Sequence, residues 1–430
     1  MSSSPETAVV IASLQVQSSF QSVPLGAACL VSALRADPEV SRRAAVALGD
    51  WSLEDSGLSG LDASGRDVVA AGEIIGNNVA ALLATIAPGA KTRVVGFSTY
   101  VWNRPVFEAA ARWLRANLPD AVIFAGGPEV TASPESFSGD FDYAIAGEGE
   151  IGAVELVRSI ATGSPVPSWT KAGGRPAQPD CATLRSPWLD GALEGTTAFR
   201  DYKGALWELA RGCPYKCSYC YESKGDKKVR PLPLARLERE LDYFVKSGVE
   251  RVFVLDPTYN ASRDRALSIL SLIAKRAPEI HFNFEVRAEH LDRETVEAFS
   301  RVPCSLQIGL QSSNPEALAL VNRSVDLKQF SKKIGLLNDA GVVFGLDLMY
   351  GLPGDTLSSF RDSIDYACGL YPNNLELFRL AVLPGTALHD DAKRLGIKAM
   401  ARPPYHVEST AKFPAQDLER AAELARACDA

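Results

Sequence analysis

Histidine is scarce in this chain: four residues in 430, His281, His290, His389 and His406, and none before position 281. Any cofactor held by the first half must therefore do without an imidazole ligand. No Ser/His/Asp arrangement, no HExxH and no GxxxxGK[ST] phosphate loop occurs, which removes the usual hydrolytic and ATP-driven chemistries. Positive charge is also in deficit, with 45 Lys and Arg against 52 Asp and Glu for a net charge of −7. A nucleic-acid partner would call for a basic face, so none is expected. Met1–Thr7 is polar and lacks the basic and apolar regions of a signal peptide, and no run reads as long enough to span a membrane. Five of the eight cysteines are scattered, Cys29, Cys181, Cys304, Cys368 and Cys428, which is no disulfide framework. A reducing cytoplasm is the expected setting.

The other three cysteines stand together in Arg211-Gly212-Cys213-Pro214-Tyr215-Lys216-Cys217-Ser218-Tyr219-Cys220-Tyr221. CxxxCxxC spacing, just after the apolar run 205–210 and beside Gly212 and Pro214, can turn three sulfurs toward one point on a loop. A [4Fe–4S] cluster normally takes four thiolates, so three in one loop leave one iron for an exogenous ligand. The competing reading is a structural zinc site, which needs four N or S ligands and a second half-site that is not visible nearby. Arg211 and Lys216 flank the cysteines and either offset a cluster's negative charge or face solvent.

Around this loop the chain reads as two α/β domains. A strand at 8–14, helices at 25–34 and 68–86, strands at 94–97, 121–125 and 143–146, and helices at 107–118 and 152–160 alternate as in a doubly wound, Rossmann-like fold. Glycine and polar residues follow each strand: Ser98-Thr99-Tyr100 with Trp102-Asn103, then Gly126-Gly127-Pro128-Glu129, then Gly147-Glu148-Gly149. Such folds place a ligand at strand carboxyl ends, and three glycine-bearing ends in succession point to one; taken singly, each is equally an ordinary βα turn. Beyond the cysteines, strands at 252–255, 281–286, 305–308, 342–348 and 375–381 alternate with helices, the pattern of a partial, parallel (β/α)6 barrel. The expected division is 1–163 for the first domain, 164–200 for a linker, 201–390 for the barrel and 391–430 for a short helical tail.

Pro24-Leu25-Gly26, GFSTYVWN, GGPEV and GEGE ahead of CPYKCSYC, with SPWLDG, VLDPTYN, QIGLQSSNPE and DLMYGLPGDT further on, resemble the cobalamin-binding (class B) radical S-adenosylmethionine (SAM) proteins, in the subgroup with an uncharacterised C-terminal region. The resemblance covers nearly the whole chain. It implies a [4Fe–4S] cluster on Cys213, Cys217 and Cys220, SAM chelated to the open iron, and reductive cleavage of SAM to a 5′-deoxyadenosyl radical. It further implies cobalamin on the first domain, at Pro24, Leu25, Gly26, Ser98, Thr99, Tyr100, Trp102, Asn103, Gly126, Gly127, Pro128, Glu129, Gly147, Glu148 and Gly149. With no histidine there, cobalamin sits base-off, or the domain keeps the fold without the cofactor.

By the same resemblance Tyr219 lies against the SAM adenine. Glu285 and Arg287 alternate about Val286 and so share one face of a strand, where an arginine suits the SAM carboxylate and a carboxylate suits a ribose diol or an amine. A surface ion pair is the competing reading. Asp256 and Gln311, at two further strand ends, are SAM or substrate contacts, or turn caps. The implied activity is a C-methyltransferase acting on a small-molecule or peptide natural product and served by an electron donor such as flavodoxin or ferredoxin. Alternatives are dehydration, rearrangement or polar methyl transfer, and, from another class, a zinc-stabilised binding protein. A tRNA methylthiotransferase would want a second cysteine set, and Cys29 and Cys181 are too far apart to build one.

Overall fold

Eight of the nine residues of β1 (Thr7–Gln15) are buried, as a strand must be when helices cover both faces of its sheet. A computed structural model describes residues 5–54, 65–137, 139–170, 174–222 and 228–429. It divides into two units, Met1–Gly204 and Ala205–Ala430.

In the first unit β1 leads to α1 (Leu25–Ala36), α2 (Pro38–Arg43), β2 (Ala44–Ser52), α3 (Gly65–Ile86), β3 (Thr92–Ser98), α4 (Arg104–Asn117), β4 (Val122–Gly126), α5 (Pro128–Ala132), β5 (Tyr143–Ile145) and α6 (Gly149–Thr162). The five strands are parallel in the order β2-β1-β3-β4-β5. The order reverses between β1 and β3, which is where doubly wound sheets open a crevice for ligands. β2 has no strand signature, being alanine-rich; its pairing with β1 along the full length, from Thr7↔Ala44 to Gln15↔Ser52, overrides local propensity.

Against the expectation that no run reaches membrane-spanning length, α3 does so by length and composition, over Asp67–Ile86. Its Ala71, Ile75, Val79 and Leu83 lie in the core that also holds β1 and α4. Residues 164–200, read from composition as a linker, belong to the first unit and end in α7 (Thr197–Arg200). Trp188 anchors them, 2% exposed and 5.5 Å from the Phe199 ring.

The second unit begins with β6 (Gly204–Glu208) and the short antiparallel pair β7 (Ala210–Arg211) and β8 (Arg230–Pro231), which brackets the cysteine loop. Next come α8 (Leu234–Lys246), β9 (Arg251–Leu255), α9 (Arg263–Arg276), β10 (His281–Val286), α10 (Arg293–Phe299), β11 (Cys304–Gln311), α11 (Pro315–Leu320), α12 (Leu327–Ala340), β12 (Val343–Tyr350), α13 (Leu357–Cys368) and β13 (Asn374–Arg379). Six strands lie side by side in chain order, β6-β9-β10-β11-β12-β13, the arrangement of a partial (β/α)6 barrel. Alternation decides what each face carries. In β11, Cys304, Leu306, Ile308 and Leu310 are buried, while Ser305, Gln307, Gly309 and Gln311 are only half-buried. Phe282, Phe284 and Val286 are likewise the covered residues of β10. The opposite faces of the two strands are polar.

The C-terminal segment is less helical than expected. After α14 (Ala387–Asp391), β14 (Lys398–Ala399) and β15 (Val407–Ser409) form an antiparallel pair before α15 (Ala415–Asp429), which packs against β13 and α13.

Two glycines test the backbone. Gly127 has φ +103°, and a Cβ there would lie 2.6 Å from the Thr99 carbonyl oxygen. Gly127→Ala should therefore cost roughly 1–3 kcal/mol in urea denaturation. Gly335, inside α12, has no atom within 4 Å of a built Cβ. Gly335→Ala should stabilise by about 0.5–1 kcal/mol in the same measurement.

Candidate functional site

Residues 212–221 form neither helix nor strand, so their shape comes from what holds them. Gly212 turns the chain out of β7 at φ +87°. The Ser218 amide donates to the Val321 carbonyl at 3.0 Å, the Leu388 amide donates to the Ser218 carbonyl at 2.9 Å, and the Cys220 amide closes a turn onto the Cys217 carbonyl at 3.1 Å. Upstream, the Arg265 guanidinium donates to the carbonyls of Leu209 and Leu232, each at 3.0 Å. Cys213 and Cys217 are each 8% exposed and Cys220 is half-buried. Thr258 Oγ1 stands 3.9 Å from Cys213 Sγ, and Arg323 Nη1 stands 4.0 Å from Cys217 Sγ.

Several expected SAM residues gather near this loop. Tyr219 lies beside the Cys217 thiol, and burial pushes its phenol well above the ordinary range. Asp256 is 8% exposed, accepts from the Thr258 amide at 3.3 Å, and has its carboxyl raised by burial. Gln311 closes β11 at φ +74°, beside a register shift in the pairing with β12. A Cβ on Gly309 would lie 2.3 Å from Gln311 Nε2, so only glycine lets that side chain fold back over the strand end. An irregularity of this kind beside a site re-aims a side chain.

Glu285 and Arg287 share a face, as alternation requires, but Arg287 is already engaged. Its guanidinium sits 3.8 Å above the Tyr215 ring and donates to Glu289 at 2.6 Å. The arginine expected to meet a SAM carboxylate thus also contacts the cysteine loop, whose Tyr215 hydroxyl bonds His290 Nε2, and its own Nε has no partner. Glu285 opens into the barrel interior, accessible to water yet enclosed by protein. Burial first, then the charges of Asp347, Asp256 and Glu222, push its carboxyl up to about 7. Asp347 on β12 is pushed up to about 6 by burial, with Glu376 adding and a Gln307 hydrogen bond and Arg323 opposing.

Arg323, Asp347, Gln307 and Glu376 were not singled out from the sequence. Strand parity with Glu285 would have found Gln307 on β11 and Asp347 on β12. Arg323 offers no periodic signal, because a left-handed Asn322 (φ +53°) aims it from a turn.

In the first unit, the residues expected at cobalamin divide into two sets. Pro24, Leu25, Ser98, Thr99, Asn103, Gly126 and Glu129 are buried. Asn103 donates to the carbonyls of Leu14 and Ser98 and accepts from the Tyr100 amide. Thr99 Oγ1 donates to the Gly126 carbonyl at 2.6 Å, and Glu129 pairs with Arg104 at 3.2 Å. These side chains fasten the ends of β1, β3 and β4 together. Gly26, Tyr100, Trp102, Gly127, Pro128, Gly147, Glu148 and Gly149 remain at least partly open. Tyr100 and Trp102 stack at 4.5 Å, and Trp102 Nε1 is tied to the Leu14 carbonyl at 2.9 Å.

The donors suit the groups implied. Among the described residues no three His, Cys, Asp or Glu side chains converge as a single metal ion demands. Thiolates that bind separate irons of a cluster need not converge so closely, whereas a zinc ion requires it. The carboxylates of the barrel interior complement the sulfonium and ammonium of SAM. In the first unit, a Cβ on Gly147 would project into open space with no atom within 4 Å, leaving backbone free to approach a bulky ligand.

The raised carboxyls have a consequence for the cofactor-free protein. A folded pKa of about 7 for Glu285, above its ordinary 4.5, means that the folded state holds the proton more tightly than the unfolded state. Stability then falls as pH rises through that window. Glu285→Gln should raise the urea midpoint relative to the parent at pH 8, and the difference should shrink toward pH 5.

Two families match the chain: the Radical SAM superfamily over residues 207–367 and the B12 binding domain over residues 56–157. The cobalamin-dependent radical SAM methyltransferase TokK of Streptomyces tokunonensis is 27% identical over 331 residues, covering 70% of this chain and 48% of the relative. The 2-(S-pantetheinyl)-carbapenam-3-carboxylate methyltransferase of Streptantibioticus cattleyicolor is 27% identical over 335 residues, covering 70% of this chain and 49% of the relative. The chain thus spans about half the length of these curated relatives. In fold it is similar to the radical SAM methyltransferase TsrM from Kitasatospora setae, solved with cobalamin and a [4Fe–4S] cluster, with TM-score 0.71 at 14% identity over 99% of this chain and 91% of that one. It is also similar to the cobalamin-dependent SAM radical enzyme OxsB, with TM-score 0.59 at 16% identity over 96% of this chain and 57% of that one. Cysteine loop, six-stranded partial barrel and the two family matches agree, and the chain belongs to the radical SAM superfamily, among the members in which a B12-binding domain precedes the radical SAM domain.

Proposed function

We propose that the protein is a cobalamin-dependent radical SAM methyltransferase that adds a methyl group to a carbon of a small-molecule or peptide substrate. The observation that carries this reading is the presence in one chain of two things: three cysteines at CxxxCxxC spacing on a barrel, and a β2-β1-β3-β4-β5 unit whose strand ends are opened by glycine. The printed names of the methyltransferase relatives support it. When bound, the cluster supplies the electron that cleaves SAM reductively, and cobalamin carries the methyl group.

The protein's part is to hold and aim. Cys213, Cys217 and Cys220 would hold the cluster, with Thr258 and Arg323 beside two of the sulfurs. Asp256, Glu285 and Asp347 would face the cationic part of SAM, with Tyr219 at the adenine and Gln311 at a second polar edge. Glu285, near neutrality, can keep or release a proton at its carboxyl as the charge beside it changes. Gly26, Tyr100, Trp102, Gly127, Gly147, Glu148 and Gly149 would form the cobalamin face, on a unit that contains no histidine. A low-potential donor of the flavodoxin or ferredoxin kind and a cytoplasmic setting fit a chain whose cysteines are scattered apart from the one loop.

Replacing any one of Cys213, Cys217 and Cys220 with Ala should abolish the iron–sulfur absorbance of anaerobically reconstituted protein. Cys304→Ala, whose buried thiol faces the Phe299 carbonyl at 3.5 Å, should leave it intact.

With reductant, cobalamin, SAM and substrate, each turnover should yield one 5′-deoxyadenosine and one S-adenosylhomocysteine, read by mass spectrometry. Deuterium at the methylated carbon should pass into the deoxyadenosine. Deoxyadenosine with an unmethylated product would instead mean rearrangement or dehydration, and S-adenosylhomocysteine alone would mean polar methyl transfer.

A further inference from the structure

Which cation offsets the charge of the cluster is decided by tertiary structure. Arg211, adjacent in sequence, is paired with Glu208 at 2.9 Å, and Lys216 is exposed. The charge of Arg287 is balanced by Glu289 at 2.6 Å. Arg323 differs from Arg211 and Arg287 in its lack of an ion pair among the described residues, and from Lys216 in being buried. It is 8% exposed, its Nη1 stands 4.0 Å from Cys217 Sγ, its Nη2 donates to the Gly309 carbonyl, and its Nε has no partner. Among the described residues it makes no ion pair. We propose that Arg323 sets the reduction potential of the cluster held by Cys213, Cys217 and Cys220, by fixing a buried positive charge, engaged in no ion pair, against the Cys217 sulfur. The inference rests on the cluster reading above.

The fold builds this contact from backbone. The Arg323 amide donates to the Leu318 carbonyl at 2.9 Å, and two residues earlier the Val321 carbonyl accepts from Ser218 in the cysteine loop at 3.0 Å. The turn that carries the arginine and the loop that carries the sulfur are therefore one hydrogen-bonded unit. The bond to Gly309 stops the guanidinium from swinging away.

Reduction transfers one electron from a low-potential one-electron donor to the cluster and adds one negative charge, with no bond made or broken. A fixed cation in a low-dielectric site favours the more negative state, and hydrogen bonding and charge at the sulfurs are recognised levers on cluster potential. Because a guanidinium keeps its charge at all accessible pH, the effect involves no proton. The arginine thus brings the cluster within reach of its donor.

The test is a dithionite titration of the full-length, anaerobically reconstituted protein without SAM, with the reduced cluster followed by paramagnetic resonance. Arg323→Gln should lower the ratio of reduced to oxidised cluster at least tenfold at fixed applied potential, a fall of about 59 mV for a one-electron couple. Arg323→Lys, which keeps the charge and loses the fork, should fall less. Arg211→Gln and Lys216→Gln should match the parent. If Arg323→Gln takes up no cluster, Arg323→Met carries the test and must fall below Arg323→Lys. Equal potentials in parent, Lys and uncharged variants overturn the proposal. An uncharged variant that weakens SAM binding tenfold at unchanged potential also overturns it, by assigning the arginine to SAM. A parent protein that forms no cluster overturns the cluster reading itself, and this inference with it.

Discussion

The second unit depends on holding an irregular loop rigid without any fold of its own. Between β7 and β8 the cysteines have neither helix nor strand to position them, and burial alone would not fix three sulfurs. What fixes them is a set of main-chain bonds reaching far in sequence, from Ser218 to Val321 and from Leu388 to Ser218. Arg265 pins the approach to the loop through the Leu209 carbonyl, and Arg287 lies over Tyr215 within it. Segments 40 to 170 residues away thus determine the loop, which is why the barrel has to be complete through α14 for the thiols to be placed.

The barrel interior follows from a simpler rule. Strand alternation puts phenylalanine, leucine and isoleucine under the helices and leaves amides and carboxylates on the opposite face. Burial first, and neighbouring carboxylates second, hold the protons of Glu285 and Asp347 toward neutral pH rather than letting them go near pH 4. An interior of this kind favours a cationic ligand and disfavours a second anion.

In the first unit the same residues that mark a ligand face also do structural work, and burial separates the two roles. Asn103 and Thr99 bind strand ends to one another and are fully buried, while Tyr100 and Trp102, their neighbours in sequence, stack at the surface of the same loop. Gly127 belongs to both sets. It lets the β4 loop approach Thr99, and it leaves backbone partly open beside the switch point.

Much of this was legible in the chain itself. Periodicity located the longer helices and most of the long parallel strands, since helix and strand repeats are local, and missed the short elements; β2 escaped because its alanines carry no strand preference and only the full-length pairing with β1 makes it one. The three cysteines, the glycine-bearing strand ends, and the placement of Glu285 and Arg287 on one face were likewise determined by spacing alone. What each side chain does there was not. Arg287 faces the predicted side and also meets Tyr215 and Glu289, Asn103 and Glu129 turn inward, and Arg323 reaches the cysteine loop from 106 residues beyond the Cys217 it approaches. Spacing tells which residues share a face, because backbone geometry repeats. Which of them pair, and which are left free for a cofactor, depends on distances between segments remote in sequence, and only the folded chain sets those distances.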